Sequence, residues 1–281
     1  MTQYIAPEQQ QIGHWLKVAS ETIARKIKKF KSDFYKVEDL PLQAFYAGTA
    51  SSYADLAYAQ FLNGEAPEIY RANLSKATSY IIKSFNMAYD KNDPDYVGDK
   101  KETDFSGFGY GCVDWFSVAE DTFIEGFHYA LMGADLKLAK ELANLFRNPP
   151  NGYLMDKEIN RYAHALKCAA LAEKEQGKTL LKQTIDEGKG KKTKSPLKLN
   201  YQTLSHALYG ILDNDEALFN RGLELQLNLQ ESYARGEAKD TSEEFICGNA
   251  VALANLAIAY KIPVKVEHYL LPKSMLIEVE V

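Results

Sequence analysis

The feature that most constrains this chain is a unit that recurs with variable spacing: a helix-periodic apolar face, a short Gly, Asn or Asp break, then a second such face. Apolar residues returning at three- and four-residue intervals describe one side of an α-helix, and short breaks between them force neighbouring helices antiparallel. Tyr53, Leu56, Ala57 and Phe61 mark one face, Asn63-Gly64 breaks it, and Tyr70, Leu74, Ala77, Ile81 and Phe85 mark the next. Phe116, Phe123, Phe127, Ala130 and Leu131, on a helix expected from Val113 to Leu131, lead into a second break at Gly133 to Asp135, followed by Leu136, Ala139, Leu142, Ala143 and Phe146 before Pro149-Pro150. The third unit is the cleanest: Leu204, Ala207, Leu208, Ile211 and Leu212, then Asp213-Asn214-Asp215, which supplies both a stop and an N-cap.

Ile159, Ala163, Leu166, Ala170 and the stretch to Ile185 predict a further helix or pair, and Ile246 to Ile258 one more, stopped by Pro263. Leu223, Leu225, Leu227 and Leu229 alternate as a strand would, yet none of the seven residues in that run is β-branched and the flanks are helical, so the segment is read as helix. Frequent Ala and Gly let helices approach closely, but no strict repeat period survives. The expected fold is all-α: an irregular stack of antiparallel helix hairpins, a tetratricopeptide-like bundle, with Val264 to Val266 and Leu276 to Val281 as short extended segments. No internal linker forces a boundary, so residues 1–281 are read as a single helical domain.

The 281 residues, 46% hydrophobic and 25% charged, are enough for a substantial core. The first residues lack a basic segment followed by an apolar one, and no apolar run has the length of a membrane span; the expected location is cytoplasmic, with no membrane partner. Cys112, Cys168 and Cys247 are odd in number and widely spaced, which predicts buried free thiols. A net charge of −5 argues against nucleic acid as a partner. Of the two basic clusters, Arg25 to Lys31 reads as a solvated helix face and Lys189 to Lys198 as a surface loop.

Few constellations carry chemistry. Glu125 and His128 have the Glu-x-x-His spacing of a di-iron helix, but a single copy cannot build that site, so His128 is read as packed or hydrogen-bonded. His164 and Cys168 sit one turn apart without further zinc ligands nearby, and read as a core pair. Asp93 to Asp104 superficially follows a calcium loop, with Val97 where an oxygen ligand belongs and Asp104 in place of the bidentate glutamate; an acidic surface loop fits better. Phosphate-binding loops, nucleophile elbows and zinc-protease motifs are absent from the sequence. No catalytic residue, metal or cofactor is therefore assigned.

The segment from Tyr89 to Gly111 is a long break in a helical chain, and such loops tend to carry function. Between Tyr89 and Asp104 it holds six acids against three lysines, with aromatics interleaved, a pattern suited to a protein-binding surface. A second acidic stretch, Glu231 to Glu244, has five acids against Arg235 and Lys239. The partner-binding candidates are Asp93, Asp95, Tyr96, Asp99, Asp104, Tyr110, Glu243 and Glu244.

The Phe123 to Phe146 hairpin, the helix break in the run Leu204 to Ala217, and the ending from Ala257 to Pro272, with its Ile-Pro-Val and Leu-Pro pairs, resemble the Immunity protein 49 family over roughly residues 40 to 277. The resemblance implies a helical, non-enzymatic protein of bacterial polymorphic toxin and contact-dependent secretion systems. Such a protein neutralises a cognate toxin by stoichiometric binding. It carries no residue-by-residue roles over to this chain, and homodimerisation stays open. The competing readings are a helical-repeat scaffold or regulator holding a peptide or protein in a groove, and a helical enzyme with a dispersed site; a deep pocket holding several carboxylates would favour the last.

Overall fold

A computed structural model describes residues 6–98, 109–148, 156–189 and 195–278. Among them the chain is all-α, and no strand occurs. The three hairpins stand where the periodicity puts them. α3 (Leu42–Leu62) and α4 (Pro67–Tyr89) flank Asn63-Gly64, α5 (Glu120–Met132) and α6 (Leu136–Leu145) flank Gly133 to Asp135, and α9 (Pro196–Asp213) and α10 (Glu216–Ala234) flank Asn214-Asp215. The stretch from Ile159 to Ile185 resolves into a fourth pair, α7 (Lys157–Ala170) and α8 (Lys174–Gly188). α1 (Gln9–Lys31), the one-turn α2 (Phe34–Val37) and α11 (Gly248–Ala259) complete the set.

The breaks work through their side chains. Asn214 adopts a left-handed φ of 56° that ends α9, and the Asp215 carboxylate accepts the Leu218 amide proton at 2.9 Å to start α10. Asp135 caps α6 in the same way through the Leu138 amide at 3.0 Å. The α9–α10 pair is close-packed: a Cβ on Gly210 would collide with the Phe219 backbone nitrogen, and one on Gly222 with the Ala207 nitrogen. Glycine on each helix thus lets the other's backbone approach, as the small-residue composition implied. The alternating leucines 223 to 229 lie within α10, with Leu223 and Leu227 buried and Leu225 exposed.

One apolar cluster runs from Ile23 of α1 through all the longer helices to Met275, with Phe123 stacked on Phe146 at 4.0 Å between ring centres. α5 lies at its middle, touching α3, α4, α6, α7 and α11. A smaller cluster of Phe45, Tyr46, Met87 and Val97 lies beside it.

Four expectations change. The helix expected from Val113 begins only at Glu120, because Trp115–Val118 forms a 3-10 turn and Ala119 is extended. Lys26 leaves the solvated face of α1: its ammonium donates to the Gly48 carbonyl and, at 2.9 Å, to the Ser52 hydroxyl. Val264 to Val266 pairs with no strand, and the tail forms a 3-10 turn at Lys273–Met275; residues 279–281 lie outside the described residues. The tail is held instead by Asn255, whose amide donates to Leu131 O at 3.0 Å and Met275 O at 3.3 Å, while its oxygen accepts from Ile277 N at 2.9 Å. Cys112, finally, is half-buried, whereas the free thiols of Cys168 and Cys247 are buried.

Candidate functional site

The surface opens into a cleft of about 710 Å³ where α5, α9, α10 and the amino end of α11 meet. α5 contributes Asp121, Glu125, His128 and Tyr129 at i, i+4, i+7 and i+8, one helical face turned away from the buried Phe123, Phe127 and Leu131. α9 adds Asn200, Tyr201 and Leu204, and α10 adds Leu229 and Tyr233. A 3-10 turn, Ser242–Glu244, brings in Glu243. This turn is braced from outside by Trp15 of α1, whose indole donates to Asp240 O at 3.2 Å and whose ring lies 6.1 Å from Phe245. The amino end of α11 is fixed by the tail, through the Cys247 amide donating to Leu270 O at 2.8 Å. At Gly248 a Cβ would come within 2.5 Å of the Tyr58 hydroxyl, so glycine there lets α3 close that end of the cleft.

The electrostatics are one-sided. Asp121, Glu125, Glu237 and Glu243 line the cleft, and no Lys or Arg does among the described residues. Glu125 is exposed to solvent, with the walls of the cleft close around it. Lost hydration, then repulsion from Asp121, Glu243 and Asp55, pushes its carboxyl up to about 7. Asp55, on α3, is pushed up to about 6 by the same loss of hydration and by Glu243, against the pull of Lys26. Burial raises Glu243 as well, opposed by a hydrogen bond from Tyr233. The charge on Glu125 is met by carboxylates alone.

The imidazole, thiol and phenols of the cleft are neutral at pH 7. His128 is buried, and burial lowers it to about 4; its Nδ1 lies 2.8 Å from Asn249 Oδ1 and its Nε2 3.2 Å from the Tyr162 hydroxyl. The amide oxygen can only accept, so Nδ1 carries the proton and Nε2 accepts from the tyrosine. Burial pushes the Cys247 thiol up to about 12, which leaves it protonated and a poor nucleophile. Tyr58 and Tyr129 are held well above the usual phenol range by burial first and by the carboxylates second.

The expected candidates divide. Asp93 and Asp95 both pair with Lys83 of α4, at 2.5 and 2.8 Å, and Asp93 also accepts the Asp95 amide proton at 2.9 Å. Val97, where a calcium ligand would stand, is buried, and its amide donates to Met87 O at 2.8 Å. Tyr96 is half-buried; Tyr110 is 43% exposed, with its amide donating to the Asp39 carboxylate at 2.8 Å. Asp99 and Asp104 lie outside the described residues.

Glu243 stands in the cleft, whereas its neighbour Glu244 turns back to accept the Asp240 amide proton at 2.8 Å. The loop acts on Tyr46 of α3 and the cleft on Asp55, nine residues or about 13 Å further along the same helix, so the two acidic stretches are separate features. Asp55, Tyr58, Asp121, Tyr129, Tyr201 and Tyr233 were not singled out from sequence. The readable signal was the polar stripe Asp121, Glu125, His128 on a helix otherwise apolar enough to be central. Glu125 was noticed only as half of a metal motif. Among the described residues no group of three or more His, Cys, Asp or Glu is placed to hold a metal ion, and His164 instead bonds Asn148 Oδ1 at 2.6 Å.

Fold and site together define an all-helical protein with an acid-lined, tyrosine-walled cleft and, among the described residues, no helix long and apolar enough to cross a membrane. A family model described as Immunity protein 49 matches residues 63–275, well over half of the sequence, and the chain belongs to that family. The match begins at the α3–α4 break, so Tyr58 and, beside the cleft, Asp55 precede it while the other cleft residues fall within it. Comparison with curated proteins and with solved structures finds no match. Immunity proteins of this kind are generally non-enzymatic and have a protein toxin as partner.

Proposed function

We propose that this protein, acting as one domain over residues 1–281 in the cytoplasm, binds a cognate bacterial toxin in a stoichiometric complex and thereby neutralises it. Family membership supports the class of function, and the observation that carries the mode of binding is the cleft: four acids and no basic residue among its described lining. A concave field of one sign concentrates a partner of the opposite sign and speeds encounter. The contact surface comprises the cleft with Glu243, the neighbouring Glu244, and the acidic loop with Asp93, Asp95, Tyr96, Asp99, Asp104 and Tyr110. Pairing with Lys83 draws Asp93 and Asp95 into one rigid corner, which lowers the entropy lost when a partner docks on it.

A carboxylate-lined pocket is also what a helical enzyme with a dispersed site would have, and the raised Glu125 would serve as its acid or base. The two readings part experimentally. Co-expression with the toxin encoded beside this chain should restore growth and yield a complex of fixed stoichiometry that survives gel filtration. Rescue at sub-stoichiometric protein with no complex would overturn the binding reading in favour of catalysis, and absence of both would overturn the immunity function.

A further inference from the structure

The cleft holds more negative charge than the chain itself neutralises. Lys26, the cation that acts on Asp55, spends its ammonium hydrogen bonds on Gly48 O and Ser52 Oγ, and every charged group acting on Glu125 is another carboxylate. Two tyrosine hydroxyls at the same place are under-used. Tyr58 is only 7% exposed, and its hydroxyl meets a thioether, Met132 Sδ, at 3.7 Å, a weak acceptor. The half-buried Tyr129 makes no hydrogen bond through its hydroxyl among the described residues and stands beside Glu125, Tyr58, Asp55 and Glu243. Buried polar groups are normally satisfied, so a buried hydroxyl left with a thioether, beside carboxylates that no cation of the lining meets, marks a place built for a donor that arrives from outside. The apolar walls, Ile124, Leu199, Leu204, Leu229 and Ile246, suit an aliphatic stem, and tyrosine rings attract a cation over their faces.

We propose that the cleft is the seat of one lysine or arginine side chain projecting from the toxin, its stem against the apolar walls and its charged head among Glu125, Glu243 and the Tyr58 and Tyr129 hydroxyls. This rests on the immunity reading for the source of the side chain, not for the chemistry of the cleft. About 710 Å³ also leaves room for part of the segment that carries it. The occupant supplies the charge that the cleft lacks, and the cleft supplies carboxylate and hydroxyl acceptors to a head group that needs several.

The test has two arms. In the first, toxin binding is titrated with wild type, with Glu125→Gln combined with Glu243→Gln, and with a lysine at Gln230, a half-buried residue of the cleft lining on α10, so that Gln230→Lys puts a cation of the chain's own into the cleft; Gln230→Met is the control. The carboxamide pair and Gln230→Lys should each weaken binding by about 30-fold or more, as loss of one side of a desolvated charge pair does, with Gln230→Met near wild type. A scan of toxin Lys and Arg residues to Gln should then find one position whose loss costs wild type as much, but the Glu125→Gln variant little. Wild-type affinity in both cleft variants would overturn the cleft proposal and leave the immunity function standing.

The second arm needs no toxin. A capped Gly-Arg-Gly peptide should raise the melting temperature of wild type and leave the carboxamide pair unmoved, while capped Gly-Gln-Gly should move neither. If no toxin binds, the first arm sinks the immunity reading and the peptide arm alone decides the cleft. An equal rise with spermidine or Mg²⁺ would show a site for free cations and overturn the side-chain assignment, as would no rise with the arginine peptide.

Discussion

Glu125→Gln should stabilise the free protein, and the pH dependence of that gain tests the electrostatic reading of the cleft. Burial and three neighbouring carboxylates push Glu125 from the ordinary carboxylate range up to about 7, so the folded state holds its proton more tightly than the unfolded chain does. A carboxyl raised in this way contributes its stability below the unfolded pKa of about 4.5 and loses it as pH rises through about 7. A tenfold change in proton affinity is worth about 1.4 kcal/mol, so the full shift would cost roughly 3 kcal/mol at pH 8. Glu125 is exposed, so solvent screens its neighbours and lowers the cost to ~1 kcal/mol. The neutral, nearly isosteric amide removes that cost, equivalent to a Tm higher by about 2–4 °C at pH 8 in a chain of this size. Thermal unfolding followed by circular dichroism from pH 4.5 to 8.5 should show the gain growing between pH 4.5 and 7 and level above it. A variant less stable than wild type at pH 8, or a gain independent of pH, would refute the claim that Glu125 is uncompensated.

Gly210→Ala and Gly222→Ala should each cost ~2 kcal/mol and lower Tm by about 4–8 °C, because the added Cβ meets backbone of the facing helix, which cannot swing away; melting curves unchanged from wild type would mean that α9 and α10 stand further apart. His128→Gln should be less stable than wild type at pH 7, but the gap should narrow by ~2 kcal/mol as pH falls from 6.5 toward 4, since a buried neutral imidazole loses stability in acid that glutamine does not; parallel pH–stability curves would contradict it. Neutralising Asp93, Asp95, Asp99 and Asp104 together should weaken toxin binding and flatten its dependence on salt, with folding stability lowered by ~1–2 kcal/mol because the Asp93 side chain that holds Lys83 is buried while Asp95 is exposed; an unaltered binding titration would remove the loop from the interface.

The hairpins were legible because each depends on residues close together in sequence. Leu204 to Leu212 declare a face, Asn214 turns left-handed, and Asp215 caps the next helix, all within a dozen residues. The alternating leucines of α10 show the limit of that local reading: spacing alone fitted a strand, and side-chain type together with flanking helices decided correctly. The cleft was not legible in the same way. Asp55, Glu125, Tyr201, Tyr233 and Glu243 come from separate elements, and only packing around α5 makes them neighbours. The acidic run that drew attention, Asp93 with Asp95, is largely consumed by Lys83, a residue of α4 with no sequence mark of its role. Of the adjacent pair Glu243 and Glu244, only the first faces the cleft, and the fold of a single 3-10 turn makes that distinction.

The central claim, that this protein neutralises a toxin by seating a basic side chain in its acidic cleft, is tested most directly by calorimetric titration of the cognate toxin at pH 7 in two buffers of different ionisation enthalpy. Glu125 and Asp55 are partly protonated there, and a cation that enters the cleft stabilises their charged forms. Toxin and protein should form a stoichiometric complex with release of a fraction of a proton, and Glu125→Gln should release less, keeping only the smaller share of Asp55. Tight binding with no proton release in wild type, or a release undiminished in Glu125→Gln, would contradict it.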